Sequence, residues 1–87
     1  MFYVYILRSI SDKKLYIGYT DNLERRLKEH NSGNNFSTKY RLPLKVIHYE
    51  AYLNKEDAQE RELFFKTGWG RKYIAKILKN YFRVGKI

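Results

Sequence analysis

Apolar and polar residues alternate at the start of the chain. Phe2, Val4 and Ile6 fall on one face of an extended segment and Tyr3, Tyr5 and Leu7 on the other, which predicts a strand over 2–8. A second β-rich run, Leu15 to Thr20, follows across the polar Ser11-Asp12-Lys13, so the two runs predict a hairpin. If paired residue numbers sum to an odd value of about 21 or 23, Tyr3, Tyr5 and Leu7 share a face with Tyr16 and Gly18. Phe2, Val4, Ile6, Leu15, Ile17 and Tyr19 then line the other, and a one-residue slip would undo the arrangement.

The period changes at Asp21. Asp21 at an N-cap with Glu24 three later opens a helix in capping-box fashion, and Ser32-Gly33 supplies its stop. Glu24/Lys28 and Arg25/Glu29 make i,i+4 pairs on the solvent side. The remaining stripe is Leu23, Arg26, Leu27 and His30, in which a cation and an imidazole occupy positions where an apolar stripe expects Leu or Ile. Asn31 to Pro43 reads as a loop, and Leu44 to Tyr52 as a third strand. Asn54 caps a second helix to about Lys66, ended by Thr67-Gly68, and a third runs from about Arg71 to Phe82. Tyr73, Ile74, Ile77, Leu78 and Tyr81 form its apolar stripe, and Lys72, Lys76, Lys79 and Arg83 fall opposite.

Charge sharpens this layout. The 87 residues carry 18 Lys plus Arg against 9 Asp plus Glu, a formal charge of +9. Residues 1–62 are net +2, while 63–87 are net +7 with no acid, so the C-terminal quarter is a polycation. That asymmetry points to a polyanionic partner, nucleic acid before anionic membrane. The nine Tyr favour nucleic acid, because phenols stack on bases and hydrogen-bond phosphates. In the loop, Lys39, Tyr40 and Arg41 are suited to gripping phosphate. A chain of this size has one core, so one domain over 1–87 is expected. The absence of cysteine removes disulfides, thiolate zinc sites and a cysteine nucleophile. No apolar run is long enough to cross a bilayer and no signal peptide is read at the N-terminus, so the expected location is cytoplasmic.

One carboxylate stands out. On the second helix Ala58 lies four before Glu62 and Phe65 three after it, so Glu62 points with the residues expected to be buried. A carboxylate there needs a cation. Either a buried Arg–Glu pair joins the first and second helices, or Glu62 is a metal ligand.

Tyr3-Val4-Tyr5, then Tyr16-Ile17-Gly18, then Asn22-Leu23-Glu24-Arg25-Arg26-Leu27-Lys28-Glu29-His30-Asn31, then Arg61-Glu62 with Lys66, resembles the GIY-YIG nuclease superfamily. The likeness is to its small stand-alone branch, related to the N-terminal nuclease domain of the ABC excinuclease, and covers Phe2 to about Ile77. It implies an α/β (α+β) domain of order β-β-α-β-α-α, with a three-stranded antiparallel sheet flanked by helices. It also implies a hydrolase: an endonuclease using Mg²⁺, for which Mn²⁺ substitutes, with links to DNA repair or recombination. By motif position the catalytic residues are Tyr5, Tyr16, Arg26, His30 and Glu62, with Glu62 the metal ligand, Gly18 the tight glycine and Asn80 the family's late asparagine. The first motif departs from the pattern, since Tyr-Val-Tyr replaces the leading Gly and Ile while keeping Tyr5.

Elementary chemistry is compatible with these roles. Phosphodiester hydrolysis needs a base for water, positive charge on the phosphorane-like oxygens and help for the alkoxide. Arg26 offers a planar fork, and Glu62 can hold one Mg²⁺ whose other ligands are waters and phosphate. An unperturbed phenol with a pKa of about 10 is protonated at neutral pH, so a metal and Arg26 would have to lower that of Tyr5, and the base is Tyr5 or His30. Lys39, Tyr40, Arg41, Lys66, Lys72, Lys76, Lys79 and Arg83, with Gly18, are the expected nucleic-acid contacts, DNA before RNA and with little sequence preference. Any specificity comes from substrate shape or a partner protein. The competing class is a non-catalytic nucleic-acid-binding module that keeps the fold.

Overall fold

Pairing of the first two runs sets Tyr3 opposite Thr20, Tyr5 opposite Gly18 and Leu7 opposite Tyr16, the expected register with its two faces. The computed structural model describes residues 1–33 and 40–84. Strand β1 (Phe2–Ser9) is central, between β2 (Leu15–Thr20) and β3 (Leu44–Tyr52), in an antiparallel sheet of order β2-β1-β3. Being covered on both faces, β1 buries Val4 through Leu7 consecutively. Its pairing with β3 shifts register between Ile6 and Leu7.

Each face has its own core. On one, Val4 and Ile6 pack with Ala58 and Phe65 of α2 (Lys55–Phe65) and Ile74 of α3 (Gly68–Ile77). On the other, Tyr5, Leu7 and Leu44 pack with Tyr16 and Val46 under Leu23 and Leu27 of α1 (Leu23–Asn31). The helices therefore flank the sheet on both sides, and the element order is the expected one up to α3.

Three local expectations are corrected. The α1 N-cap is Asn22, not Asp21: its side chain accepts from the Arg25 N–H at 3.0 Å, while Asp21 instead pairs with the Arg25 guanidinium at 3.1 Å. Ser32 ends the helix and Gly33 turns away at φ 81°, as its missing Cβ allows. The third helix begins earlier, because Thr67 does not only stop α2. It also caps α3, its Oγ1 accepting from the Gly70 N–H at 3.0 Å. Finally, the long third helix is two. At Leu78 (φ −109°, ψ 21°) α3 gives way to α4 (Lys79–Val84), whose Tyr81 and Phe82 close on the Arg8 guanidinium at 5.6 and 5.2 Å.

A polar network ties α2 to β3. Arg61 grips Glu50 through Nε and Nη2 at 2.8 and 3.2 Å, and Tyr52 and His48 bond the same carboxylate at 2.7 and 3.0 Å. The guanidinium lies 4.6 Å from the Phe65 ring centroid and 4.8 Å from that of Tyr73. His48, which sequence alone leaves without a partner, thus has one in Glu50 and sits edge-on to Phe65. Among the described residues no helix is long and apolar enough to cross a membrane.

Candidate active site

The site begins with a missing side chain. Gly18 faces Tyr5 across the β1–β2 ladder, and a methyl group built on it would coincide with the phenol oxygen and Cζ of Tyr5. The Tyr5 ring therefore lies over β2, where any other residue would stand, and its hydroxyl reaches toward the free edge of the sheet. There the Tyr5 hydroxyl lies 3.1 Å from Nε2 of His30, which α1 presents one turn after Arg26. Arg26 donates a hydrogen bond to the same phenol, and its Nη1 pairs with Glu29 at 3.2 Å.

From the other side of the sheet α2 delivers Glu62, whose side chain is 21% exposed. Tyr5, Tyr16, Gly18, Arg26, His30, Glu62 and Lys66 line one open cleft of about 230 Å³, with Ile17 and Tyr19 at its edge. Every residue expected to be catalytic borders this space. A larger groove of about 660 Å³ beside Tyr3 and Tyr49, and a hollow on the outer face of α1, hold no such set.

Of the expected nucleic-acid contacts, Gly18 and Lys66 are in the cleft. Arg41 reaches its rim, 5.0 Å from the Tyr16 ring centroid, with Asp12 at 3.5 Å as counter-ion. Tyr40 is exposed. Lys72 and Lys76 on α3, and Lys79 and Arg83 on α4, are exposed away from the cleft, so the expected single row of cations is divided between two helices. Asn80 is exposed on α4 and does not line the cleft, and Lys39 lies outside the described residues.

The electrostatics separate the proton-handling groups. Burial pushes the Tyr5 phenol above its ordinary value, and the hydrogen bond and charge of Arg26 only partly oppose it. Burial also pushes His30 down, and the charge of Arg26 adds to the effect, so His30 is neutral at pH 7. With Tyr5 protonated, its O–H donates to Nε2 of a His30 that carries its own proton on Nδ1. The hydrogen bond to Tyr5 raises Arg26 further above its ordinary value, so it is a permanent cation.

The Arg–Glu pair weighed between the first and second helices is not formed. Arg26 binds Glu29 on its own helix, while Glu62 is met by Lys66 at 3.1 Å, one turn on. Among the described residues no three His, Cys, Asp or Glu side chains converge as a ligand cluster. A lone half-buried carboxylate opening on a wet cleft fits Mg²⁺, which keeps most of its waters, far better than a metal needing an all-protein cage.

Gly18→Ala should destabilise the fold by about 1–3 kcal/mol, since the added methyl must displace the Tyr5 ring. In a Tyr5→Ala background the same change should cost less than about 1 kcal/mol, as the ring is gone. Urea unfolding of the four chains measures both, and equal costs in the two backgrounds would show that Tyr5 is not what Gly18 accommodates.

A sheet flanked on both faces, with a Tyr–His pair, an arginine and a carboxylate gathered at its edge, is the plan that the sequence motifs imply. Comparison with known proteins agrees. The family described as "GIY-YIG catalytic domain" matches residues 1–74, and the chain belongs to this family, a nuclease superfamily acting on nucleic acid. Within it, the chain is similar to small proteins named UPF0213. It is 46% identical over 67 residues to UPF0213 protein CPE1444 of Clostridium perfringens, covering 76% of this chain and 71% of that one. With UPF0213 protein YsiG of Lactococcus lactis it shares 45% over 80 residues, 91% of this chain and 76% of that one. The solution NMR structure of UPF0213 protein BH0048 from Bacillus halodurans aligns with a TM-score of 0.54 at 32% identity, over 88% of this chain and 85% of that one.

Proposed function

We propose that this cleft hydrolyses nucleic-acid phosphodiester bonds, in DNA before RNA, as an endonuclease with little sequence preference. What supports the reading is the convergence of a neutral Tyr5–His30 pair, a permanent Arg26 cation and a lone Glu62 carboxylate on one open space. In this mechanism the attacking water passes its proton to Tyr5 Oη as the Tyr5 proton moves to His30 Nε2, so no free phenolate is needed. The raised phenol and depressed imidazole make Tyr5 the positioned relay and His30 the proton acceptor. Water oxygen bonds to phosphorus, the bridging P–O bond breaks, and Arg26 stabilises the charge on the non-bridging oxygens. Tyr16, beside Arg41 at the rim, contributes to substrate positioning. Glu62 would hold Mg²⁺, with Mn²⁺ able to substitute, and the ion when bound supplies Lewis-acid stabilisation of phosphate charge.

DNA repair or recombination in the cytoplasm is the setting we propose, by kinship with the nuclease domain of the ABC excinuclease. One observation favours the alternative of a binding module: Glu62 already holds Lys66, as it would if it only oriented a phosphate-binding cation. Supercoiled plasmid incubated with the chain should be nicked in Mg²⁺ and left intact in EDTA. A chain that retards supercoiled, branched and single-stranded DNA on gels but cuts none of them in Mg²⁺ or Mn²⁺ is the binding module instead.

A further inference from the structure

The one tryptophan in the chain, Trp69, is 76% exposed. Exposure of so large an apolar ring does nothing for the fold, and its neighbour is a cation: Lys72 Nζ lies 5.1 Å from the indole centroid. The position is nonetheless fixed. Gly70, next in the chain, is buried so tightly against the Phe64 carbonyl and Phe65 Cα that no side chain would fit there. Together with the Thr67 cap, this pins the first turn of α3 against the end of α2. Trp69 is therefore an exposed ring on a rigid mount.

Its surroundings indicate the ligand. Lys66, Arg71, Lys72 and Lys76 flank it in sequence, all exposed, and no acidic residue follows Glu62. Lys66 belongs to the cleft, and three residues of chain span at most about 11 Å, so the indole stands beside the cleft. An aromatic face set among cations is the arrangement that receives a nucleobase while the cations take the phosphates on either side. A base within a duplex has both faces stacked already, so the indole can take only an unpaired one.

We propose that Trp69 is a stacking platform for an unpaired nucleotide, so that the preferred substrates of the cleft are single strands, or duplexes with a flap, gap or frayed end beside the scissile phosphate. This rests on the nuclease reading for its substrate and adds the feature that selects among nucleic acids. An acidic protein surface would suit the same cations but would not need a free aromatic face, and serves as the opposing outcome.

The single tryptophan reports directly. In EDTA, so that nothing is cut, a short single-stranded oligonucleotide should quench its emission far more than the blunt duplex of the same sequence. Trp69→Ala should weaken single-strand binding by about 5- to 150-fold, read by anisotropy of a labelled oligonucleotide, and leave duplex binding nearly unchanged. Trp69→Phe should restore most of the loss, and circular dichroism of Trp69→Ala should match that of the parent, which a purely structural role for the indole would not allow. Equal weakening on both substrates, no weakening, or emission that ignores a bound single strand would overturn the proposal. Plasmid nicking by the parent chain separates the two readings. Nicking without tryptophan selectivity removes the platform alone, whereas selective quenching without cutting of any substrate removes the nuclease and leaves a single-strand-binding protein.

Discussion

Arg26→Ala should nick plasmid roughly 10²–10³-fold more slowly than the parent chain, and Glu62→Gln should lose the response to Mg²⁺ altogether. Arg26 acts in two ways. Its fork meets the oxygens on which charge develops, and its charge sets the proton donors and acceptors around it by restraining Tyr5 and depressing His30. Removing it lets the phenol rise further and the imidazole return toward its ordinary pKa of about 6.5. The base must be neutral to accept a proton, so the parent rate should already be high below that pH and fall only as pH drops through the depressed His30 value. In Arg26→Ala the residual rate should fall off at higher pH. Arg26→Lys, which keeps the charge but not the fork, should restore the pH profile more than the rate. Initial nicking rates across pH measure all of this, and an Arg26→Ala rate within about tenfold of the parent would remove Arg26 from the chemistry. Glu62→Gln keeps shape while removing the negative charge that Lys66 or a metal would meet, so its folding should be nearly unaffected.

The largest effect on stability is expected at Arg61. Burial alone would push the Glu50 carboxyl up, but hydrogen bonds from Arg61, His48 and Tyr52 overcome it and hold the group at about 2. The same contact raises Arg61 still higher and pushes Tyr52 up to about 12, although burial is the first cause for Tyr52. Because the folded Glu50 value lies below its ordinary 4.5, its contribution is complete above that pH and is lost as pH falls toward 2. Fully buried pairs cost about 3–5 kcal/mol when one partner is removed; here the side chains are 26% and 20% exposed, so Arg61→Ala should cost about 2–4 kcal/mol. That is a fall in Tm on the order of 10–30 °C. Melting of parent and variant should differ most near pH 7 and converge toward pH 2; curves that stay equally far apart would show that the loss is of packing on Phe65 and Tyr73, not of the ion pair.

Much of the sheet was legible because strand alternation is a strict code: only one register puts Val4, Ile6 and Ile17 on the same side, and that is the one adopted. The odd stripe of α1 was legible for a similar reason, since Arg26 and His30 on an otherwise apolar face must be met by something, and Tyr5 meets both. What escaped depends on partners distant in sequence or on one residue serving two elements. Nothing local marks Arg61 as the counter-ion of Glu50 on another element. Thr67 reads as a stop until its hydroxyl is seen capping the next helix, and Leu78 continues an apolar stripe through the point where the backbone breaks. Trp69 gave no signal because an exposed ring belongs to no stripe; its signal was its rarity among seven uncompensated cations in residues 63–87.

The two cores leave the site with two foundations. Arg26 and His30 stand on the α1 core, and Glu62 and Lys66 on the α2–α3 core, with only the outer strand between them. Proton transfer and anchoring of the metal are thus mechanically insulated from one another: drift in the packing beneath one can retune its chemistry without loosening the other. β2 alone sets the gap between them, so that one strand acts as the gauge of the site.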